Sequence, residues 1–364
     1  MDAAPRIHFV LDPRSTRWDD IERLDEQEIA RTPSRFVGGR NAWIAQSYLR
    51  LRGELDARGW RPTAGPGFPA GAVCIAHRDD ANRFGSPAYA SFLVVVRADR
   101  PRVEACDLAI VQNGLARSPR ERFVPQWPQP GLLAREAARG FRIERMAYQG
   151  RTSSAPRWFH DAPFLRDLGR RKIEFEVREH GWEDYRGVDL AIAAREELPL
   201  VLEQKPATKL YNAWLAGAPM LATPEPAYRE LRRRSIDFIE IDGPADVLQA
   251  IDLLRANPHL YAAMVRNGRL RGAAFDVDAI RSRWLDFLQE EVLPAYRTHP
   301  HGTGPARRAW FLCAMARQKA ASRLHRVRRA AQAGERLGHW VARGLESALT
   351  TGAARRGGRT FPAA

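Results

Sequence analysis

A short segment in the second half of the chain combines basic and hydroxyl side chains with the start of a helix. Residues 205–223 read KPATKLYNAWLAGAPMLAT. Thr208 offers a hydroxyl to the free backbone N–H groups of a first helical turn, and Gly217 ends the helix before an apolar strand. Lys205 and Lys209 are four residues apart, which predicts that they lie on one helical face. Because such a helix start favours an anion, the segment predicts a site for a nucleotide diphosphate.

The elements that position this segment alternate between strands and helices. Continuous apolar runs predict buried strands of parallel sheets that are covered on both faces. In the first half the predicted strands are 7–11, 72–76, 92–96 and 108–111, and in the second half they are 146–148, 173–175, 185–193, 220–222 and 238–241. Apolar residues at helical spacing predict helices over 43–55, 163–169, 228–234, 245–256, 258–271 and 277–292.

The chain is long enough for two domains and an extension. It has 364 residues, of which 45% are hydrophobic. Four prolines in residues 118–131 predict an extended linker, which places a domain boundary there. We therefore assign a first domain to 1–125, a linker to 126–140, a second domain to 141–298 and a basic helical tail, disordered in part, to 303–364.

The charge is concentrated at one end of the chain. Residues 303–364 hold thirteen Lys and Arg against two Glu, which leaves only +4 of the net +15 for residues 1–302. A protein whose main task is to bind nucleic acid carries its positive field on the folded body, so the charge distribution argues against that class. The three cysteines are far apart and predict reduced thiols. Since we find no signal peptide and no membrane span, we expect a cytoplasmic protein.

The 205–226 segment resembles a motif of nucleotide-sugar-dependent glycosyltransferases of the GT-B fold, KPxTKLxNAWxAGxP followed by a strand. The resemblance covers the order of elements from about residue 7 to 296, with a weaker local match at 37–51. It implies two Rossmann-like domains that face a cleft, with the donor in the second domain and the acceptor in the first. It also implies that residues 277–292 cross back toward the first domain. The activity implied is sugar transfer to a saccharide or lipid-linked acceptor, in bacterial surface-polysaccharide or glycolipid synthesis.

Ligands of open α/β sheets bind beyond the carboxyl ends of the strands, which selects the loops that contribute to the cleft. Glycosyl transfer needs cations on the departing diphosphate and acceptors for the hydroxyls of the sugar and ribose. The predicted donor-binding residues of the second domain are Gly150, Arg151, Lys205, Thr208, Lys209, Asn212 and Glu225. For each lysine at the helix start, a solvated helix face is the alternative interpretation.

The segment departs from the family at two positions. Many retaining members carry two glutamates eight positions apart, where this chain has Gln204 and Asn212. The two amides leave open the identity of the donor and the stereochemistry of transfer. They also keep two alternatives open: a non-catalytic nucleotide-sugar-binding or scaffold protein, and a nucleotide-sugar epimerase or phosphorylase of the same architecture.

The first domain contributes polar residues after one predicted strand and before the first helix. His77 and Asp79 follow the predicted strand 72–76. The resemblance implies that one of them acts as a base or orients a hydroxyl group. Gly38 and Gly39, with Asn41, resemble the glycine turn that approaches the donor phosphate or the acceptor. An ordinary loop that enters a helix is the alternative for this turn.

We expect no cofactor and no metal. The pattern DVD at 276–278 precedes a helix, where an aspartate serves as a cap, and His299 and His301 lack a third ligand nearby. The tail combines Arg residues with apolar ones at helical spacing, which predicts contact with an anionic membrane surface on the inner face of the plasma membrane. The apolar residues of the tail are Trp310, Phe311, Leu312, Met315, Leu324, Val327, Leu337, Trp340 and Val341.

Overall fold

Two parallel β-sheets form the body of the protein. The structure is a computed structural model that describes residues 5–12, 14–81, 87–116, 118–298 and 304–356. It has two compact units, residues 1–318 and residues 319–364. We call the six-stranded sheet of the first unit, with the elements packed on it, the first lobe, and the five-stranded sheet with its elements the second lobe. The α/β class with two Rossmann-like lobes is confirmed.

The first lobe has the strand order β2-β1-β3-β4-β5-β6, and every neighbouring pair is parallel. Its central strands are buried along their whole length, as expected for a sheet covered on both faces. The strands are β1 (Arg6–Val10), β2 (Arg61–Gly65), β3 (Val73–His77), β4 (Phe92–Val96), β5 (Leu108–Val111) and β6 (Glu121–Phe123). Three helices accompany them: α1 (Glu28–Arg31), α2 (Arg40–Ala57) and α3 (Arg78–Ala81).

Part of the predicted linker belongs to the first sheet instead. Residues 118–131 were expected to be an extended linker, but β6 pairs with β5 inside this range. Glu121 of β6 is buried and accepts a hydrogen bond from Arg97 Nη1 at 3.3 Å. This strand is a short sheet edge whose polar residues are satisfied by an ion pair, so it lacks the apolar pattern of a central strand.

The second lobe has the strand order β11-β10-β9-β7-β8, again parallel throughout. Its strands are β7 (Arg145–Gln149), β8 (Glu174–Arg178), β9 (Leu190–Ala193), β10 (Met220–Ala222) and β11 (Ile239–Glu240). Its helices are α4 (Ala162–Arg170), α5 (Pro199–Leu202), α6 (Thr208–Ala216), α7 (Pro226–Leu231), α8 (Pro244–Ala256) and α9 (Pro258–Gly272). Gly217 ends α6 in the left-handed conformation, at φ 75°.

The chain then returns to the first lobe. Helix α10 (Val277–Phe287), a π-helical segment (Leu288–Val292) and α11 (Leu293–Thr298) follow one another without a break. Trp284 is fully buried in the core of the first lobe, where its ring centroid lies 6.2 Å from that of Trp43. Arg281 Nη2 donates to both carboxylate oxygens of Glu26 at 2.7 and 2.9 Å. This packing ties the two lobes together at a second point besides the linker.

The start of the last helix, α12 (Pro305–Arg356), also packs on the first lobe. Phe311 and Met315 were expected among the membrane-facing residues of the tail, but both are buried against the sheet. Gln318 Oε1 accepts hydrogen bonds from the backbone N–H groups of Glu104 and Ala105 at 2.9 and 3.3 Å. The side chains of Leu337, Trp340 and Val341 lie outside the described residues, as do His299 and His301. Within the described ranges, no helix has both the length and the hydropathy needed to cross a bilayer.

Candidate functional site

The carboxyl ends of the two sheets meet, and polar contacts join the loops there. Lys205 Nζ lies 3.0 Å from Asp99 Oδ2, in the loop that follows β4. Asn113, after β5, donates from Nδ2 to the carbonyl oxygens of Glu203 and Lys205 at 2.9 and 3.3 Å. Since strand ends of parallel sheets are where ligands bind, this junction is the candidate site.

A buried ion pair lies on the second-lobe side of the junction. Arg195 follows β9 and Glu225 follows β10, and a hydrogen bond joins Arg195 Nη1 to Glu225 Oε2. The side chains are 11% and 1% exposed. The other carboxylate oxygen, Glu225 Oε1, is buried without a hydrogen-bond partner among the described residues. Burial raises the pKa of Glu225, although the charges of Arg195 and Lys209 oppose the rise. An unpaired acceptor in this position is suited to a hydroxyl group of a ligand.

Lys209, in the first turn of α6, lies beside this ion pair. Its Nζ is 3.6 Å from the centroid of the Tyr148 ring, a cation–π contact. Burial lowers the pKa of Lys209 well below its usual range, the charges of Arg195 and Lys205 lower it further, and only Glu225 raises it. Within the part of the chain that the structure describes, no hydrogen bond or ion pair satisfies this ammonium group. An anion bound here would supply the missing partner.

Gly150 makes the approach of Lys209 to Tyr148 possible. A Cβ atom at Gly150 would lie 2.7 Å from Lys209 Nζ and 3.0 Å from the Tyr148 ring. The backbone N–H of Gly150 donates to the carbonyl oxygen of Arg178 at 2.9 Å, so the loop after β7 is fixed in place. Arg151, the next residue, is exposed. The predicted residues Gly150 and Lys209 are thus brought together.

The start of α6 differs from the expectation in two ways. The helix begins at Thr208, so Lys205 precedes it and does not share a helical face with Lys209. The Thr208 hydroxyl does not cap the helix, because it lies 3.2 Å from Gln126 Oε1 in the linker. Asn212 also faces the linker, where its Oδ1 accepts a hydrogen bond from the backbone N–H of Gln129 at 3.0 Å.

His77 ends β3 on the first-lobe side of the junction. It is 3% exposed, and its Nδ1 lies 3.1 Å from the backbone nitrogen of Asp79, which donates the hydrogen bond. Burial lowers the pKa of His77 to about 4, and the nearby Asp79 carboxylate opposes the shift. The ring is therefore neutral at pH 7, with its proton on Nε2. In this state Nε2 is the ring nitrogen able to donate a hydrogen bond, while the Asp79 carboxylate contacts Arg100 Nε at 3.1 Å.

Gly38 and Gly39 form a turn directly before α2, and Asn41 in the first turn of that helix bonds to residues that follow β1 and β3. Gly38 and Gly39 have φ values of 71° and 76°, in the region that favours glycine, and Gly39 directly precedes α2. Asn41 accepts a hydrogen bond from the backbone N–H of Asp12 at 3.0 Å and donates to Asp80 Oδ2 at 2.8 Å. The amide of Asn41 therefore holds the loop after β1 and the short helix α3 together.

A cavity of 410 Å³ lies between the glycine turn and the second lobe. Gly38 lines it from the first lobe, and Arg151, Ser153 and Trp182 line it from the second. Trp182 Nε1 donates to the carbonyl oxygen of Arg178 at 2.8 Å, which fixes the indole. This cavity brings the predicted residues Gly38 and Arg151 to one place.

Two residues of the site were not singled out from the sequence. Arg195 lies in the segment 194–209 that follows the carboxyl end of β9, but in this segment the sequence analysis chose Lys205, Thr208 and Lys209. Trp182 follows β8, an edge strand whose end was not selected. Both positions are found by applying the strand-end rule to every arginine and aromatic residue.

The described residues contain no group of three His, Cys, Asp or Glu side chains that could hold a metal ion. Asp276 caps α10 as expected, since its Oδ1 accepts a hydrogen bond from the backbone N–H of Ala279 at 2.8 Å. At the junction, Lys205 pairs with Asp99 and Arg195 pairs with Glu225.

No family model and no curated protein sequence matches the chain. Its fold is similar to that of solved structures that include glycosyltransferases. HepE of Anabaena, solved in complex with UDP, is 11% identical, with a TM-score of 0.48 over 79% of this chain and 100% of HepE. A glycosyltransferase from Rickettsia africae is 10% identical, with a TM-score of 0.44 over 79% and 99%. TarM is 8% identical, with a TM-score of 0.43 over 60% of this chain, and the match spans about half of TarM, 55%.

Proposed function

We propose that the protein is a glycosyltransferase that binds a nucleotide-sugar donor in the second lobe. The observation that carries this proposal is the Lys209 amine, which is half-buried beside the Arg195–Glu225 pair and to which the described residues give no hydrogen bond or ion pair. A diphosphate there would meet Lys209 and the first backbone N–H groups of the nine-residue helix α6.

The remaining groups of the site have roles that follow from their hydrogen-bonding capacity. Glu225 Oε1 accepts a hydrogen bond from a ribose hydroxyl, because it is an acceptor without a partner. Arg195 holds Glu225 in place and adds positive charge near the diphosphate. Arg151 contributes a further cation at the cavity next to Gly150. In this proposal the cationic side chains and helix N–H groups carry the charge of the leaving diphosphate.

The first lobe binds the acceptor in this proposal. His77 orients a sugar or acceptor hydroxyl by donating a hydrogen bond from Nε2, which fits a neutral ring whose Nδ1 is already occupied. Asp79 positions His77 through its backbone N–H group. Gly38 and Gly39 leave room for the acceptor or the donor phosphate at the mouth of the cavity. Deprotonation by His77 is the less favoured role, because the lowered pKa makes it a weak base.

Nucleotide binding to matched variants tests the donor site. The protein would be titrated by calorimetry with UDP-, GDP-, dTDP- and CMP-sugars, and stabilisation by each would be followed by thermal unfolding. Lys209→Met keeps the side-chain stem over Tyr148 but removes the charge, and we expect it to weaken binding at least tenfold. Arg166→Ala, an exposed basic residue on α4, is the control and should bind as the wild type does. A folded protein that binds none of these nucleotides would refute the proposal.

We further propose a cytoplasmic protein that works at the inner face of the plasma membrane on a saccharide or lipid-linked acceptor, in bacterial surface-polysaccharide or glycolipid synthesis. The support is the basic tail, in which Leu324 and Val327 are 50% and 64% exposed among arginines. Co-sedimentation with phosphatidylglycerol vesicles tests it. We expect the Leu324→Glu/Val327→Glu variant to bind the vesicles less than wild type, and equal binding would contradict membrane contact through these residues.

A non-catalytic nucleotide-sugar-binding protein is the second candidate. Two amides replace the family's two glutamates, and both are used inside the protein. Gln204 Nε2 donates to the carbonyl oxygen of Leu200 at 3.0 Å, and Asn212 holds the linker. Assays with the donor that binds separate the candidates. Transfer to an acceptor supports the transferase, and binding without turnover across an acceptor panel supports the second candidate. Reaction without an acceptor indicates an epimerase, and dependence on phosphate indicates a phosphorylase.

A further inference from the structure

A second cavity, of 750 Å³, lies where the linker passes between the lobes. Its walls come from the first lobe, from the linker, from α6 and from the start of α10. The residues that matter here are Ile29, Arg50, Gln129, Leu132, Leu215 and Val277. None of them belongs to the donor site described above.

Arg50 is the most unusual group in this cavity. Its side chain lies on α2 and is 93% removed from solvent, with 7% exposed. The guanidinium carbon lies 5.0 Å from the centroid of the Trp127 ring. Nε is buried without a hydrogen-bond partner, and no ion pair of the described residues includes Arg50. Burial lowers the pKa of Arg50 to about 10, so the group keeps its charge at pH 7.

The carboxylates near Arg50 have other partners. Both oxygens of Glu26 accept hydrogen bonds from Arg281 Nη2. Asp276 Oδ1 caps α10, and Asp25 Oδ2 pairs with Arg31 at 3.2 Å. A buried cation is costly unless it is paired, and the charges of Glu26 and Asp278 only partly offset the burial of Arg50, so a bound anion would stabilise its charge further.

Gln129 adds a second unsatisfied donor. Its Nε2 is buried without a partner among the described residues, and Gln129 is one of the residues that line the same cavity. The two orphaned atoms are both donors, so a ligand that satisfies them must present acceptor oxygens. Apolar side chains form much of the remaining wall, so the rest of that ligand must be apolar.

We propose that this cavity binds a small apolar molecule that carries one anionic group, a carboxylate or a phosphate monoester. Its oxygens accept hydrogen bonds from Arg50 and Gln129, and its apolar part contacts Ile29, Leu132 and Leu215. Asp25, Glu26 and Asp276 also line the cavity and disfavour a ligand with more than one anionic group, which separates this site from one for a nucleoside diphosphate.

The site does not depend on the proposed donor site, although helix α6 reaches both. Leu215 lines the cavity six residues after Lys209, about 9 Å further along the helix axis. Variants of Arg50 therefore leave the groups at the start of α6 unchanged.

Binding of 1-anilinonaphthalene-8-sulfonate, an apolar probe with one anionic group, tests the proposal. We expect saturable binding of one probe per chain. Arg50→Met keeps an apolar stem over Trp127 but no charge, and it should weaken binding at least tenfold. Arg58→Met, an exposed arginine near the end of α2, should bind as the wild type does. Ala30→Leu, exposed on the cavity wall, should weaken binding by reducing the volume while Arg50 stays in place.

Displacement of the probe then identifies the anionic group. Octanoate and octyl phosphate should both displace the bound probe, and the one that displaces it at the lower concentration indicates whether the site prefers a carboxylate or a phosphate monoester. 1-Octanol, which has no charge, should need at least a tenfold higher concentration. Circular dichroism checks that Arg50→Met is folded, and its nucleotide binding should equal that of the wild type. Equal probe binding by Arg50→Met and wild type, or equal displacement by 1-octanol, would overturn the proposal. If Arg50→Met does not fold, unchanged binding to Ala30→Leu would overturn it.

Discussion

At the residue scale, Arg195 and Lys209 of the second lobe differ in the groups that contact their basic side chains. Arg195 has the Glu225 carboxylate as its partner, whereas the contact that the described residues give to the Lys209 amine is the face of the Tyr148 ring. The ring contact is a weak substitute for an ion pair at a buried position. Gly150 allows this arrangement, because a Cβ atom there would lie 2.7 Å from Lys209 Nζ and 3.0 Å from the Tyr148 ring, so Lys209 would have to shift. The site thus holds a lysine amine whose charge an arriving anion would stabilise, at a place that backbone geometry fixes.

His77 gives a pH dependence that can be measured. Its pKa is about 4 in the folded protein and 6.5 in the unfolded chain, so the unfolded state gains the proton first as pH falls. Stability is therefore full above pH 6.5 and is lost between pH 6.5 and 4. At pH 4.5 the loss is about 2 to 3 kcal/mol.

Urea unfolding at pH 7 and 4.5 checks this expectation. His77→Gln cannot take up the proton, so its free energy of unfolding should fall less than that of the wild type over this interval. His259→Gln, an exposed histidine on α9, should follow the wild type. An equal fall in wild type and His77→Gln would show that the pKa of His77 is not lowered by folding.

Single elements show where sequence patterns succeed and where they fail. The strands β4, β5 and β10 have the predicted bounds, because continuous apolar runs are typical of buried parallel strands. The edge strands β2 and β6 were not predicted, because their sequences, RPTAG in β2 and ERF in β6, contain no apolar run. Helix α6 starts at Thr208, three residues after Lys205, because the backbone N–H of Lys205 bonds to the carbonyl oxygen of Leu202 in a turn that precedes the helix.

The site was predictable only in part for a related reason. Local spacing placed Lys209 at a helix start and Gly150 at a strand end. The ion pair between Arg195 and Glu225 joins residues thirty positions apart, and the contact of Lys205 with Asp99 joins the two lobes. Such pairings depend on the sheet order β10-β9-β7 and on the docking of the lobes, which no local pattern encodes.

The cap of α10 gives a test at this scale. Asp276→Ala removes the acceptor for the backbone N–H of Ala279 and should lower the free energy of unfolding by about 1 kcal/mol. Asp276→Asn should retain most of the stability, because an amide oxygen also accepts this bond. Denaturant unfolding measures the difference. The acidic residue Asp278 has 85% of its side chain exposed, and Asp278→Ala should cost less than Asp276→Ala. Equal losses would contradict the capping role.

At the scale of the whole molecule, the two lobes are joined by the crossover helix, by the linker and by the loops at the sheet ends. Trp284 of the crossover helix is buried in the first lobe, and the linker holds α6 through Gln126 and Gln129. The loops at the sheet ends add the contact between Lys205 and Asp99. This last contact is polar and half-exposed, so it is the one that a charged ligand most easily replaces.

A diphosphate near Lys209 would compete with Asp99 for Lys205. Asp99→Asn frees the lysine and should raise nucleotide affinity about three- to tenfold, which corresponds to about 0.7 to 1.4 kcal/mol. Lys205→Met should weaken binding, and the double variant should behave like Lys205→Met, since the effect of Asp99 acts through this lysine. Calorimetry at low and high salt measures these affinities, and the gain should shrink as salt screens the charges. Weaker binding by Asp99→Asn would mean instead that the pair holds the lobes in the arrangement that the nucleotide needs.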